Sequence, residues 1–398
     1  MELEIEKLDY EGKGITRKDH KIIFIPRTLP NETIEASIVK EKRNYSIGKC
    51  QKVLKKSKLR LESYCPYASQ CGGCSYDIVS YKDSLKIKKN AIQELFQKNG
   101  ISIDDVQIEE SKPSLGYRNK ISLKVQNYQF GYYESESHIM IFIDNCKLAS
   151  PPIQSFLKDF SMLNLKEGEI ILRSNDNEEL LIVITSKEQP KIREEIIKNH
   201  KIAGIVWNKK CIYNAPFFIE KRGDFLYKVR YSSFFQVNSN ISERIKRELL
   251  ESFSPSDEVL DLYCGVGFFS LPLAKKVKKV IGVEYNPLSI VDAIYNASLN
   301  KIENTTFHAG KVEEILENIP NKANKVVVDP PRAGLDKKVR EILKKKKYEL
   351  IYYISCNPFT LTRDLKELEN TYKIKQIKLY DMFPFTSHVE SVAVLERR

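Results

Sequence analysis

Residues 258–274 read EVLDLYCGVGFFSLPLA and decide the fold of this chain. The segment predicts a buried strand, a turn that carries Gly265 and Gly267, and then a helix. Glycines at such a turn let the backbone approach a ligand closely. The next predicted strand, KVIGVEYN at 279–286, carries Glu284, which can accept hydrogen bonds from both hydroxyls of an adenosine ribose. The two strands predict a nucleotide-type cofactor site, and the pattern does not distinguish NAD from S-adenosylmethionine.

Two later segments, KVVVDPP at 325–331 and LIYYISC at 350–356, are near-continuous apolar runs. Such runs are typical of strands in a parallel sheet that is covered on both faces. The sequence NISE at 240–243 resembles a capping box and predicts that a helix begins there, before the first strand. We therefore predict that residues 236–398 form an α/β, Rossmann-like domain.

The chain upstream of this domain divides into two predicted parts. Residues 1–58 read as short strands broken by turn signals, which predicts a small β-barrel. Residues 59–235 alternate strand-like runs with short polar connectors and predict a central, sheet-rich domain. Within it, residues 80–99 have apolar side chains at helical spacing, and Gly100 follows as a stop signal. The expected fold class is a multidomain protein with three such parts.

The charge of the chain favours a polyanionic partner. Its 398 residues include 65 Lys and Arg against 53 Asp and Glu, a net charge of +12. Residues 1–60 hold 15 of the basic and 9 of the acidic residues, which is +6 and half of the excess. Because this excess covers a whole predicted domain, we expect RNA contact there rather than only a solvated face.

The composition also excludes several classes of protein. Hydrophobic residues make up 42% and charged residues 30%, which is typical of a globular chain. The apolar runs are strand-sized and far shorter than the roughly 18 residues of a membrane span. The N-terminus mixes acids and bases and has no apolar segment of a secretory signal. Eight cysteines are too sparse for a disulfide scaffold, so we expect a cytoplasmic protein.

Candidate reactive residues follow the later predicted strands. Asp329 opens a rigid Asp-Pro-Pro-Arg turn that ends with Arg332, and turns of this kind commonly line methyltransferase active sites. Cys356 follows a buried strand, where a thiolate could act as a nucleophile, although an isolated Cys is more often a buried apolar residue. His388 and Glu390 alternate onto one face at the start of the last apolar strand, and either could accept a proton.

The order of these motifs resembles the RNA uracil-5-methyltransferase family over nearly the whole chain. The resemblance also extends to the N-terminal segment, which is similar to the TRAM domain, an OB-like RNA-binding barrel. The motifs that carry the resemblance are FFQVN (234–238), LDLYCGVG (260–267), DPPRAG (329–334), SCNP (355–358) and FPFTSHVE (383–390).

The resemblance implies a covalent mechanism for methylation of uracil at C5. Cys356 would add to C6 of uracil as the nucleophile, and Glu390 would remove the C5 proton after methyl transfer. Residues that match the family's S-adenosylmethionine-binding positions are Gln236, Tyr263, Gly265, Glu284 and Asp329. Two departures, Phe268 after the glycine turn and Lys311 near the adenine-facing position, put detailed adenine contacts in doubt. The stretch from Tyr117 to Lys120 also matches the family and is expected to contact RNA or to be a surface strand end.

A cysteine cluster precedes the helix at 80–99. Cys65, Cys71 and Cys74 lie close in sequence, and Cys146 follows 72 residues later. Three close thiols and a distant fourth suit a tetrahedral zinc site or an iron–sulfur site, and spacing alone does not choose between them. The resemblance implies a [4Fe-4S] cluster, as in ribosomal-RNA members of the family. The same family architecture suggests that the helix at 80–99 packs on the catalytic domain.

These observations predict a 23S ribosomal RNA (uracil-C5)-methyltransferase that uses S-adenosylmethionine. We expect RNA as the partner, no DNA or membrane partner, and a monomer. Within the class, the alternative is a transfer-RNA uridine-54 methyltransferase. A second alternative is an RNA-binding iron–sulfur protein without activity, which predicts damage at Cys356 or Glu390, and both are intact. An N-methyltransferase is disfavoured because Arg332 occupies the position of a base-stacking aromatic residue.

Overall fold

The computed structural model of the chain describes residues 1–101, 106–134, 139–319 and 322–398. The first part is a six-stranded sheet in the order β1-β5-β6-β4-β3-β2. Its two edge strands follow each other in the chain, and the linker residue Glu6 donates its N–H to the Ile15 carbonyl at 2.9 Å. The sheet therefore curls so that its edges approach. Its strands are β1 (Glu2–Glu4), β2 (Lys7–Leu8), β3 (Gly14–Lys18), β4 (Lys21–Ile25), β5 (Thr33–Glu41) and β6 (Tyr45–Lys55).

The middle of the chain contains two helices and then a mainly antiparallel sheet of seven strands in the order β10-β9-β8-β11-β12-β13-β14. A separate two-stranded hairpin, β15-β16, follows it. The elements are α1 (Ala68–Cys71), α2 (Tyr81–Lys98), β7 (Gln107–Glu109), β8 (Lys120–Gln126), β9 (Gln129–Tyr133), β10 (Met140–Phe142), α3 (Pro151–Lys158), a 3₁₀ helix (Phe160–Leu163), β11 (Gly168–Ser174), β12 (Leu180–Thr185), α4 (Glu194–Asn199), β13 (Ile202–Trp207), β14 (Lys210–Asn214), β15 (Phe217–Arg222) and β16 (Phe225–Arg230).

The last part is an eight-stranded sheet in the order β19-β18-β17-β20-β21-β23-β22-β7. Its strands are parallel except β23, which runs antiparallel to both neighbours. Its elements are α5 (Ser239–Glu251), β17 (Glu258–Leu262), α6 (Ser270–Lys276), β18 (Lys279–Glu284), α7 (Pro287–Leu299), β19 (Thr305–Ala309), α8 (Val312–Asn318), β20 (Lys325–Val328), α9 (Lys337–Lys346), β21 (Leu350–Ser355), α10 (Pro358–Leu368), β22 (Tyr372–Tyr380) and β23 (Glu390–Arg397).

Helix α2 and strand β7 belong to the core of this last sheet although they lie far upstream in sequence. Ile92 and Phe96 of α2 are buried in the same hydrophobic cluster as Leu260 and Val328 of the central strands. Strand β7 pairs in parallel with β22 and forms the outer edge of the sheet. The segment from α2 to β7 thereby links the cysteine-bearing part of the chain to the C-terminal sheet.

The start of helix α5 differs from the prediction, which placed it at Asn240. The helix begins at Ser239 because the side chain of Asn238 caps it by accepting a hydrogen bond from the Ile241 N–H at 3.4 Å. Asn238 is buried and also donates to the Met382 carbonyl at 3.2 Å, so the cap is fixed by a distant loop.

Within the described ranges, no helix is long and apolar enough to cross a membrane.

Candidate active site

Five strands of the last sheet bring the predicted site residues to one edge. Tyr263 and Gly265 follow β17, Glu284 ends β18, Asp329 follows β20 and Cys356 follows β21. The carboxyl ends of these parallel strands meet at the same edge, which is where sheets of this type bind ligands. Glu390 is the first residue of antiparallel β23, and Ser391 beside it pairs with Ser355 beside Cys356. The start of β23 therefore lies at this edge too.

The glycine turn after β17 has open space next to its backbone and the Glu284 carboxylate beside it; we call this turn the ledge. Tyr263, Gly265 and Gly267 have φ values of 66°, 55° and 88°, in the left-handed region that favours glycine. Gly265 donates its N–H to Glu284 at 3.2 Å, and Asn286 donates its N–H to the other Glu284 oxygen at 2.8 Å. A Cβ added at Gly265 would meet no atom of the described residues within 4 Å. The ledge therefore leaves room for a ligand to lie against the backbone.

A buried acid beneath this ledge was not among the predicted site residues. Asp261, within β17, accepts a hydrogen bond from the Ser270 hydroxyl at 2.5 Å. Burial, together with the negative charge of Glu284, raises the pKa of Asp261 to about 7. The sequence signal for Asp261 was its position inside the LDLYCGVG motif. A residue within a buried strand is, however, usually predicted to belong to the hydrophobic core.

Asp329 lies beside Gln236 at the same edge. The Gln236 amide nitrogen is 3.5 Å from an Asp329 oxygen, and Asn119 donates its side-chain amide to the Gln236 carbonyl at 3.0 Å. Burial and the charge of Asp261 raise the pKa of Asp329 to about 7. The stretch from Tyr117 to Lys120 thus includes a residue that supports the Gln236 loop, whereas Tyr117 itself is buried.

Cys356 and Glu390, the two residues that the sequence predicts to react with the substrate, lie near each other at this edge because Ser355 pairs with Ser391 on neighbouring strands. Burial and the negative charges of Glu390 and Asp329 raise the pKa of the partly exposed Cys356 thiol to about 11, against a lowering effect of Arg332. Burial and the Asp329 charge also raise the pKa of Glu390 well above its usual value. His388, the other candidate base, has an exposed side chain. The Cys356 thiol and the carboxyl groups of Glu390 and Asp329 are therefore not expected to be ionised all at once.

The two positions that depart from the family pattern have structural roles. Phe268 is buried and packs edge-on against Phe235, with ring centroids 5.5 Å apart. Lys311 is exposed at the start of α8 and pairs with Glu314 at 3.4 Å. Phe268 is therefore part of the hydrophobic core beneath the glycine turn.

The four cysteines of the predicted cluster line one cavity of about 320 Å³. They are Cys65, Cys71, Cys74 and Cys146, and all are free thiols. Burial raises the pKa of Cys74 to about 12, and the Tyr64 hydroxyl lies 3.7 Å from its sulfur. Among the residues that the structure describes, however, no group of three or more His, Cys, Asp or Glu side chains is placed to hold a metal ion. The predicted metal site is therefore not confirmed.

Comparisons with known proteins agree with this architecture. Residues 173–398 match a family model described as tRNA (uracil-5-)-methyltransferase. The whole chain is 34% identical to an uncharacterized RNA methyltransferase of Aquifex aeolicus, of which it covers 98%. An uncharacterized RNA methyltransferase of Staphylococcus aureus is 33% identical, with 97% of this chain and 96% of that protein covered.

Among solved structures, the chain is similar to the tRNA (uracil-54, C5)-methyltransferase of Pyrococcus abyssi, determined with S-adenosyl-L-homocysteine. The TM-score is 0.82 at 25% identity, over 99% of this chain and 100% of that one. This similarity confirms the predicted multidomain α/β methyltransferase fold. The identity of the N-terminal sheet as a TRAM domain stays a prediction.

Proposed function

Because the chain belongs to the tRNA (uracil-5-)-methyltransferase family, we propose that it transfers the methyl group of S-adenosylmethionine to C5 of a uridine in RNA. The observation that carries the proposal is the placement of Cys356, Glu390 and Asp329 together at the edge where the parallel strands end. A thiol beside two buried acids provides both a nucleophile and a base, which is what substitution at C5 requires.

The ledge after β17 supports S-adenosylmethionine as the methyl donor. Glu284 would accept the ribose hydroxyls, and the open face of Gly265 would let the donor lie against the backbone. Burial and nearby carboxylates raise the pKa values of Asp261 and Asp329 to about 7, and the sulfonium cation of the donor would stabilise their ionised forms. The similar Pyrococcus abyssi structure contains the corresponding product, S-adenosyl-L-homocysteine.

In the proposed mechanism, the Cys356 thiolate adds to C6 of uracil and places an enolate electron pair at C5. C5 then takes the methyl group, and S-adenosylhomocysteine leaves with the former bonding pair. Glu390 removes the C5 proton, the electron pair restores the C5–C6 double bond, and the thiolate is expelled. The target uridine must leave its stack to reach Cys356, as in other enzymes that react with a base.

The methyl donor is expected to activate Cys356 electrostatically. In the free protein the Cys356 thiol has a pKa of about 11, so the rate of its alkylation by iodoacetamide should increase only at high pH. A nearby sulfonium cation stabilises the thiolate and lowers this pKa. With S-adenosylmethionine bound, the rate should therefore increase at a lower pH. Each unit of pKa change corresponds to about a tenfold change in thiolate population. The measurement is the pH dependence of Cys356 alkylation, followed by peptide mass spectrometry.

S-adenosylhomocysteine is the matched control because it fills the same site without the positive charge. With it, the apparent pKa of Cys356 should stay near that of the free protein. An equal apparent pKa with both ligands would contradict this account of nucleophile activation.

We propose 23S ribosomal RNA as the substrate, on the basis of the curled N-terminal sheet, the +6 charge of residues 1–60 and the cysteine cavity. Uridine 54 of transfer RNA is the second candidate. Its support is that the transfer-RNA enzyme of Pyrococcus abyssi is similar over 99% of this chain, a range that is not limited to the C-terminal methyltransferase part.

The substrate proposal is tested by incubating the anaerobically purified protein and S-adenosylmethionine separately with unmodified ribosomal RNA and transfer RNA. Mass spectrometry of the nucleosides then measures 5-methyluridine. Product in ribosomal RNA alone supports the first candidate, and product in transfer RNA alone supports the second. No product in either RNA would overturn the enzymatic proposal and favour the non-catalytic RNA-binding alternative.

We also propose that Cys65, Cys71, Cys74 and Cys146 hold a [4Fe-4S] cluster. The support is the donor set and the shared cavity, since four thiolates are the ligands of such clusters. When bound, the cluster would tie the segment before α2 to the sheet that follows it.

Removal of one ligand tests the cluster. Anaerobically purified protein is expected to contain iron and acid-labile sulfide, and Cys74→Ala should lose most of both. Cys211→Ala is the matched control, because Cys211 lies on β14 outside the cavity and should retain both. Equal iron content in the two variants, or bound zinc in place of iron, would contradict the proposal.

A further inference from the structure

The segment 381–389 joins β22 to β23 and leads directly into Glu390. A lysine from helix α2, about three hundred residues upstream, holds this segment at both ends. The Lys88 ammonium donates to an Asp381 carboxylate oxygen at 2.5 Å, to the Phe383 carbonyl at 2.9 Å and to the His388 carbonyl at 3.2 Å. The side chains of Lys88 and Asp381 are both fully buried.

A second set of contacts holds the middle of the segment. Ser75 and Tyr76 donate their N–H groups to the Phe385 carbonyl at 2.9 and 3.0 Å. Phe385 has a φ of 61°, a conformation that a non-glycine residue keeps only when its surroundings fix it. Its ring packs against Tyr64 and Tyr81, with centroids 5.0 and 5.5 Å away. The segment is therefore fixed in one conformation by residues outside the C-terminal part of the chain.

We propose that Lys88 is a positioning residue for Glu390. Lys88 acts through the 381–389 segment on the step in which Glu390 removes the C5 proton. This inference rests on the proposed function. Lys88 joins the beginning of the segment at Asp381 to its end at His388, two residues before Glu390. Within the described part of the chain, the hydrogen bonds of the Lys88 ammonium go to the 381–389 segment and not to the turn after β17 or the strand end at Cys356. Its loss should therefore affect the base more than the nucleophile or the methyl donor site.

A lysine that neutralises a buried carboxylate cannot be removed without consequence for the chain around it. In Lys88→Met the aliphatic stem remains, but the Asp381 carboxylate loses its buried partner and must change its surroundings or take up a proton. The Phe383 and His388 carbonyls lose their donor at the same time. The segment is then free to shift, and shifts of about 1 Å in a catalytic group can lower rates by about 100-fold.

The test follows the covalent intermediate as well as turnover. Lys88→Met is expected to lower kcat by about 100-fold and to accumulate a covalent RNA–protein adduct on a denaturing gel, because addition and methyl transfer continue while proton removal slows. Affinity for S-adenosylmethionine should stay within about twofold of wild type. Lys98→Met is the matched control, with the same change on the same helix at an exposed residue paired with Glu94. It should show wild-type turnover and no accumulated adduct.

Asp381→Asn provides a second, milder variant in case Lys88→Met does not fold. It keeps the shape of the side chain and leaves the two carbonyl contacts of Lys88 in place, so the same adduct should accumulate with a smaller fall in kcat. Slow turnover without adduct in either folded variant would overturn the inference. If the wild-type protein makes no 5-methyluridine, the proposed function itself has failed, which is a distinguishable result.

Discussion

Cys356→Ala is expected to abolish both methylation and the covalent RNA–protein adduct while S-adenosylmethionine still binds. The thiolate supplies the electron pair that makes C5 of uracil nucleophilic, so no other group at the site can replace it. Loss of a covalent nucleophile in other enzymes costs about 10⁶-fold in kcat. The thiol itself is partly exposed and follows a strand whose own residues stay buried, so its truncation should leave the fold intact.

The measurement compares initial rates of methyl transfer to RNA with the affinity for the methyl donor, obtained by calorimetry. Cys211→Ala removes a thiol from a distant strand and should leave both quantities at wild-type values. Methylation by Cys356→Ala at more than a few per cent of the wild-type rate would show that the reaction does not pass through this thiol.

Glu390→Gln is expected to stop the reaction after methyl transfer and to trap RNA on Cys356. The amide cannot accept the C5 proton, so elimination cannot expel the thiolate. Loss of a general base costs about 10²- to 10⁴-fold. Glu390 is buried, and a glutamine has nearly the same shape and adds no charge to this buried position. We therefore expect normal folding and normal donor affinity together with a slowly migrating RNA–protein band.

The matched control is Glu396→Gln, on the same strand β23, where the carboxylate pairs with Lys373 and Lys375 at the far end. It should turn over normally and show no band. If Glu390→Gln loses activity without a band, another residue accepts the proton. Mass spectrometry of the band from Glu390→Gln should find methylated uracil attached to Cys356.

The sequence predicted the parts of the fold that depend on short-range pattern. The apolar runs at 325–328 and 350–355 are strands β20 and β21, and nearly all of their side chains are buried, as expected for strands covered on both faces. The glycine turn after β17 and Glu284 at the end of β18 could be predicted for the same reason. The order strand, turn, helix places both at the edge of the sheet where the parallel strands end.

The features that were missed depend on contacts between distant residues. Strand β7 is only three residues long, and its place beside β22 is decided by pairing across more than 250 residues. The Lys88–Asp381 pair joins residues 293 positions apart, and a lysine in a helix reads as surface until its burial is seen. Helix α3 is an exception, because its start has a local signal in the sequence, Ser150 followed by two prolines in the first turn.

In the proposed reaction, the methyl group replaces the hydrogen at C5 of uridine. The most direct test uses RNA whose uridines carry tritium at C5, incubated with the wild-type protein and S-adenosylmethionine, and measures tritium released to water together with methyl groups transferred. We expect equal amounts of both at all times during steady turnover, and no release with Cys356→Ala. Methyl transfer without release of tritium would place the methyl group on another atom and contradict the proposed function.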